Sequence, residues 1–420
     1  MSKKLPLDPY KGVRDFYPEE QAFLNYFMAT CRALAEQVGY VEYGASILEP
    51  SELYRGKTSE EIVNEQTYTF IDRGEREVTL RPEMTPTVAR MVAAKRRELG
   101  FPLRLYSIPN VFRYERPQRG RLREHWQLNV DVFGSSSLAA DAEIIAVAYG
   151  IMRAFGATDS DFVIKLGSRA FLDALTTELG LSEADAKKLR GLLDRRAKMP
   201  EAEFDAGLAE LGVPKEKLSP SEVPQDIAKI IEDFHAAGIP NIMYDPGVVR
   251  GFDYYTGIVF EVFDTHPENN RALFGGGRYD NLLSLFLPAQ AGGDEKIPAV
   301  GVACGDVTIH DFLAVRNLVP PYRPPTHVYV AITSPDLATA AHTFASQYLR
   351  PQGVNVAIDF GDKKLADQIK TANKHKIPYL IVLGPDELAS GRFVVRDLAS
   401  GDEKTFGKEQ LAEFFLNLGR

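Results

Sequence analysis

Apolar residues recur every three or four positions after Pro18, at Phe23, Phe27, Leu34 and Val38, and stop at Gly39, which predicts a core-facing helix over residues 18–39. Beyond it the period falls to two. Short runs at Ile47-Leu48, Thr67–Ile71 and Val78–Leu80 predict strands; Pro82 ends the last, and a helix over Thr87–Glu98 follows. Leu105–Phe112 reads as an apolar strand. Across an arginine-rich loop, Leu128, Val130 and Val132 alternate with Gln127, Asn129 and Asp131, which predicts an antiparallel hairpin with one face buried and the other free for a ligand. A helix over 138–155 and a strand over Phe162–Lys165 come next. From Arg169 to about Phe234 the chain turns to Ala, Leu, Lys and Glu with repeated helix caps, a small helical insert whose charges read as a solvated surface. The strand pattern returns at Tyr244 and continues through VVRGFDYYTGIVFEVF (248–263) and LFGGGRYDNLLSLFL (273–287). After Pro298 a glycine-spaced strand leads into a helix.

Pro320-Pro321 and Pro324-Pro325 read as a stiff linker and a domain boundary. Beyond them, strands at Val328–Ile332, Val354–Ile358, Tyr379–Leu383 and Phe393–Asp397 alternate with helices at Leu337–Leu349, Lys364–Lys376 and Lys408–Leu418. This predicts a small open α/β sheet with helices on both faces. Lys363, Lys364, Lys370, Lys374, His375 and Lys376 gather around one helix, as either a phosphate-contacting edge or a wet helix face.

At 420 residues the chain has room for roughly two or three domains. Two cysteines, Cys31 and Cys304, cannot make a disulfide framework, and no Cys/His cluster has zinc spacing. The start lacks an apolar signal core, and no run approaches the ~20 apolar residues of a membrane span, so the expected setting is the cytoplasm, with no membrane partner.

Charge changes the picture further. The net charge is −9, which argues against indiscriminate nucleic-acid binding. Yet residues 112–125 hold Arg113, Arg116, Arg119, Arg121 and Arg123 against only Glu115 and Glu124. Planar guanidinium forks match phosphate geometry, so this hairpin reads as an anion reader, the alternative being a charged, solvated tip. Glu83 and Thr85 stand where a helix begins, and either cap it or face a ligand's ammonium group. Gly275–Gly277 offer a backbone that a ligand can approach, bracketed by Arg250, Tyr254, Tyr255, Arg278 and Tyr279.

Five segments in order, KGVRDFYPEE (11–20), TLRPEMTPTVAR (79–90), FRYERPQRGRLREHWQLNVDVFG (112–134), VVRGFDYYTG (248–257) and FGGGRYDNLL (274–283), resemble those of histidyl-tRNA synthetases, which are class II aminoacyl-tRNA synthetases. The resemblance spans nearly the whole chain. It implies an α+β catalytic core over 1–325, an antiparallel sheet flanked by helices, with a helical insertion over 169–240 and a C-terminal α/β anticodon-binding domain over 326–420, in a homodimer. The implied reaction joins histidine to ATP, releases pyrophosphate and moves the histidyl group to the 3′ end of tRNA(His).

On this resemblance Arg113 holds the α-phosphate and Arg250 assists there from the side facing the carboxylate; these two are the catalytic residues. Glu115, Arg121, Gln127 and Gly305 complete the ATP site. Glu83, Thr85, Gln127, Asp131, Tyr254, Tyr255 and Tyr279 line the histidine pocket. Mg2+ bridges the ATP phosphates, the loop Arg116–Arg123 meets the acceptor end of the tRNA, and the last domain meets the anticodon. The sequence departs from the family pattern at three places: Thr308 stands where an ATP-clasping arginine is usual, Asp131 where a glutamate is usual, and Met84 where a glycine is usual. Losing one such cation without replacement costs ~3 kcal/mol at the transition state. The competing reading is a non-catalytic relative such as the regulatory subunit of ATP phosphoribosyltransferase. Those subunits lack an anticodon-binding domain and tend to lose the motif arginines, which this chain keeps at 113, 121 and 250. An RNA-binding module is a second alternative, for which an amino-acid pocket would be unnecessary.

Overall fold

The computed structural model describes residues 5–55, 66–196, 199–218, 223–250, 254–269, 271–287, 296–360 and 363–417. Gly251, Phe252 and Asp253 of the RGFDYYTG segment, residues 197–198 and 219–222 of the insert, and Leu418 at the end of the last predicted helix lie outside them. The chain divides into two units, Met1–Val319 and Pro320–Arg420.

In the first unit the strands are β1 (Val41–Glu42), β2 (Leu48–Pro50), β3 (Tyr68–Ile71), β4 (Glu77–Leu80), β5 (Leu103–Ser107), β6 (Asn110–Phe112), β7 (Glu124–Phe133), β8 (Phe162–Ser168), β9 (Ile242–Tyr244), β10 (Ile258–Asp264), β11 (Ala272–Arg278) and β12 (Ala299–Gly305). Among the described residues the main sheet runs β1-β5-β7-β12-β11-β10-β8-β9, with β6 also paired to β7. Its pairings are antiparallel from β5 through to β8, and parallel only where β1 joins β5 and β9 joins β8. A small antiparallel sheet, β2-β4-β3, stands apart.

The two faces of the main sheet follow the alternation of β7. Leu128, Val130 and Val132 point into the core with Phe27 and Cys31 of the helix Pro18–Gln37 and with Ile144, Ile145 and Ile151 of the helix Leu138–Ala154. Each such fully buried side chain contributes roughly 1.5–3 kcal/mol. Phe27 faces the core as the periodicity predicts, but the buried stripe is Leu24, Phe27, Cys31 and Ala35, and Val38 is exposed because the helix has already ended. The strand expected over Leu105–Phe112 is two strands. Pro109 has no N–H to continue the ladder, and its carbonyl instead accepts the Gln127 N–H at 2.9 Å.

The opposite face has a different composition. Asp131 pairs in register with Gly301, Asn129 with Ala303 and Gln127 with Gly305; Gly275 and Gly277 sit beside Ala303 and Gly301 on the next strand. A row of positions with little or no side chain therefore floors this face, and the Gly275–Gly277 triplet lies within β11 instead of forming a turn.

The insert folds as helices Arg169–Glu178, Glu183–Arg195 and Glu201–Glu210 around a cluster of their own, including Leu172, Leu189, Leu192, Phe204 and Leu208. The next helix, Gln225–Ala236, places Ile227, Ile230 and Phe234 in the main core.

The second unit is a five-stranded sheet among the described residues: β13 (Val328–Ile332), β14 (Val356–Ile358), β15 (Tyr379–Leu383), β16 (Arg392–Asp397) and β17 (Glu403–Gly407), in the order β14-β13-β15-β16-β17. The first three are parallel and the last two antiparallel. Val328, Val330 and Ile332 pack toward Phe344, Leu411 and Phe415, while Tyr329 and Ala331 pack toward Ala372, Ile377 and Leu380, so helices cover both faces. The strand β17, whose residues Glu403–Phe406 are half-buried or exposed, has no apolar run to announce it. Lys363, Lys364, Lys370, Lys374, His375 and Lys376 are all exposed, with Lys370 paired to Asp367 at 3.1 Å and Lys376 lying 5.5 Å from the Tyr322 ring centre.

Candidate active site

Over the glycine-floored face lies a cavity of about 1800 Å³. The twelve residues that the resemblance assigns to histidine and ATP all line it: Glu83, Thr85, Arg113, Glu115, Arg121, Gln127, Asp131, Arg250, Tyr254, Tyr255, Tyr279 and Gly305. Its described wall carries eleven Arg or Lys against eight Asp or Glu, a positive excess in an acidic chain. Such a cavity favours an anionic ligand.

One end is lined by carboxylates and phenols. Tyr254 donates its hydroxyl to Glu83 Oε2 at 2.9 Å, and Tyr279 donates to Asp131 Oδ1 at 2.5 Å. Tyr254 packs between Tyr255 and Tyr279, with ring centres 4.8 and 5.7 Å away. Glu83 and Thr85 do not cap the helix Thr85–Lys95, which makes no side-chain cap bond; Glu83 is turned toward Tyr254. Asp131 owes its place to Gly301, where a Cβ would lie 2.0 Å from Asp131 Oδ1. Burial pushes the Asp131 carboxyl up to about 7, partly offset by the Tyr279 hydrogen bond, and its Oδ2 is buried without a hydrogen-bond partner. Two carboxylates in an aromatic pocket suit a cationic amine or an imidazole. Met84 is fully buried beside them.

The other end is cationic. Arg113 leaves β6 and is held by its Nε on the Pro82 carbonyl at 2.9 Å. Glu115 and Arg121 approach each other at 3.4 Å. Arg250 Nη1 donates to Glu261 Oε1 at 2.8 Å, while its Nε is buried with no hydrogen-bond partner. Burial alone would lower the Arg250 pKa, but Tyr255 and Glu261 outweigh it and hold the group above its ordinary value. The segment bearing Arg250 reaches the sheet because residue 167 is glycine: a Cβ there would meet the Val248 carbonyl at 2.2 Å.

Two expectations are corrected. Arg278 does not bracket the cavity. It emerges on the far side of β11, buried in an ion pair with Asp141 at 2.5 Å and donating to the carbonyls of Ser135 and Ser137. Arg123 is likewise not part of the anion-reading set: it is buried over the Tyr114 ring at 3.9 Å and donates to Tyr10 and to the carbonyls of Lys11 and Glu115. Of the five hairpin arginines, Arg113, Arg119 and Arg121 line the cavity.

At Thr308 the hydroxyl donates to the Gly305 carbonyl at 3.1 Å, within the first turn of the helix Asp306–Val315. A Cβ at Gly120 would lie 3.8 Å from Thr308 and from Asp311, so the hairpin tip rests over this turn and brings Arg119 and Arg121 beside it.

Sequence reasoning missed several wall residues. His125 continues the alternation of Gln127, Asn129 and Asp131 by one step. Burial, with Arg113 and Arg14 nearby, lowers it to about 3, so it is neutral at physiological pH. Glu261 interrupts the apolar run of β10. From the insert come Arg169, Lys187, Arg190, Arg195 and Arg196, whose charges face the cavity rather than serving only as a solvated surface.

A histidyl-tRNA synthetase family model matches residues 12–219 and 215–305, and an anticodon binding domain model matches 327–418. The histidine–tRNA ligase of Leptospira biflexa serovar Patoc is 39% identical over 427 residues, covering 96% of each chain; that of Thermoplasma volcanium is 34% identical over 433 residues, covering 98% of each. Among solved structures, histidyl-tRNA synthetase from Nostoc sp. PCC 7120 is similar with a TM-score of 0.79 at 24% identity, over 99% of this chain and 100% of that one. A Bacillus halodurans C structure described as an ATP phosphoribosyltransferase regulatory subunit/histidyl-tRNA synthetase reaches 0.72 at 22% identity, over 91% and 100%. These structural likenesses establish the fold, and with the family model over residues 12–305 it is that of a class II aminoacyl-tRNA synthetase. Within that class the chain belongs to the histidyl-tRNA synthetase family.

Proposed function

We propose that this chain activates histidine with ATP to histidyl-adenylate and transfers the histidyl group to the 3′ end of tRNA(His). The observation that carries the reading is the pairing, in one cavity, of a carboxylate–phenol pocket with guanidinium groups from separate segments. Glu83, Thr85, Gln127, Asp131, Tyr254, Tyr255 and Tyr279 bind the ammonium and imidazole groups of histidine. Arg113 and Arg250 flank the α-phosphate, with Glu115, Arg121, Gln127 and Gly305 on the rest of the nucleotide. Charge accumulates on that phosphate as the carboxylate attacks, and preorganised guanidinium groups stabilise it without a dedicated general base.

Magnesium enters with ATP. The described residues contain no group of three or more His, Cys, Asp or Glu able to hold a metal. The donor set nevertheless fits Mg2+, which takes phosphate oxygens with one or two carboxylates and keeps its waters. Glu115, on the wall beside Arg113 and Arg121, would supply a carboxylate, and the ion would neutralise phosphate charge.

The loop arginines Arg116, Arg119 and Arg121 and the insert's cations serve the acceptor end of the tRNA, and the unit matching the anticodon-binding family serves the anticodon. That unit also weighs against a purely regulatory role. We assign the catalytic core to 1–325, with its insertion over 169–240, and the anticodon-binding domain to 326–420. The enzyme works as a homodimer in the cytoplasm; no helix of the described residues is long and apolar enough to cross a membrane. Purified protein given histidine, ATP and Mg2+ is expected to exchange pyrophosphate in a histidine-dependent way and to charge tRNA(His). Histidine binding without exchange would favour the regulatory reading.

A further inference from the structure

We propose that Glu261 is a positioning residue for the activation step: it fixes the Arg250 guanidinium against the cavity floor, and the rate of adenylate formation depends on it through Arg250. This rests on the histidine-activating reading above. In register, Glu261 lies between Lys165 on β8 and Gly275 on β11, all on the cavity face. The cross-strand Lys165 is the natural counter-ion for a carboxylate there. Its Nζ instead lies 2.9 Å from Asp245 Oδ2. Glu261 Oε1 accepts from Arg250 Nη1 at 2.8 Å, in a pair whose side chains are only 17% and 18% exposed.

Gly275 completes the seat, since a Cβ there would stand 3.0 Å from Arg250 Nη1. The guanidinium is thus tethered along one edge while its Nε remains buried without a hydrogen-bond partner. Arg278, on the other face of the sheet, spends its donors on Asp141, Asp280 and two carbonyls. A guanidinium held in one orientation on the cavity wall is what a phosphate clamp requires, because donors already aimed cost no reorganisation when charge develops.

The test is a double-mutant cycle on the full chain, reading histidine-dependent pyrophosphate exchange and melting temperature for wild type, Glu261→Ala, Glu261→Gln, Arg250→Ala and Glu261→Ala/Arg250→Ala. Glu261→Ala is expected to lower kcat about tenfold to a hundredfold, with KM for ATP and histidine within about threefold. Glu261→Gln, which keeps an acceptor oxygen, loses less. Adding Glu261→Ala to Arg250→Ala costs nothing further. Should Glu261→Ala not fold, Glu261→Gln runs the same cycle, with a loss of about threefold to tenfold expected. Unchanged kcat in the single variants, or losses that add fully in the double variant, would overturn the proposal. A wild-type protein without exchange would overturn the histidine-activating reading instead, so the two failures are distinct.

Discussion

The two faces of the main sheet carry the same residue types and use them in opposite ways. On the helix-packed side, Arg278 and Asp141 are buried and saturated: the guanidinium reaches two carboxylates and two carbonyls. On the cavity side, Arg250 and Asp131 are buried and incomplete, with Arg250 Nε and Asp131 Oδ2 both lacking partners. Burying a polar group without a partner is costly, and these two side chains stand on the wall of a cavity large enough to admit a ligand. The saturated pair ties β11 to the helix layer, and the other two side chains line the cavity.

Breaking the saturated side gives the largest expected effect. Arg278→Ala strands Asp141 without its counter-ion, and the loss of stability is expected at about 3–5 kcal/mol, read by denaturant unfolding. A loss within about 0.5 kcal/mol would show that the pair is not structural.

The second prediction concerns the open side. Burial raises the Asp131 carboxyl from 3.8 to about 7, so the folded chain keeps a proton that the unfolded chain releases. The contribution of this group is fully present below pH 4 and is lost as pH rises toward 7. At 1.36 kcal/mol per unit over most of that range, wild type is expected to lose about 3 kcal/mol relative to Asp131→Asn between pH 4 and 7. Parallel stability curves for the two proteins would contradict it. Saturating histidine, whose ammonium group favours the ionised carboxylate, is expected to shrink the difference.

Much of this was legible in the sequence, and the reasons are local. The alternation of β7 separated core residues from cavity residues, the glycines of β11 and β12 marked a bare floor, and the prolines after Val319 marked a boundary. What stayed hidden depends on register and on approach from distant segments. Arg278 and Tyr279 are neighbours that strand parity sends to opposite faces, and no composition argument separates Arg278 from Arg250. Arg123 reads as one more loop cation until Tyr10 and Tyr114 are seen to enclose it. The insert's arginines look like solvated helix charge because nothing in their own helices reveals that the cavity lies beneath them. Pro109 is visible in the sequence, and it divides the hairpin's first strand because it has no N–H for the ladder.

The central claim is that the open arginines act on one nucleotide beside a histidine pocket. It is tested most directly by histidine-dependent pyrophosphate exchange in Arg250→Ala, measured with its thermal melt. The expected result is a loss of about a hundredfold or more in a protein that still folds, its melt lowered by the stranded Glu261. Exchange within a few-fold of wild type would contradict the account.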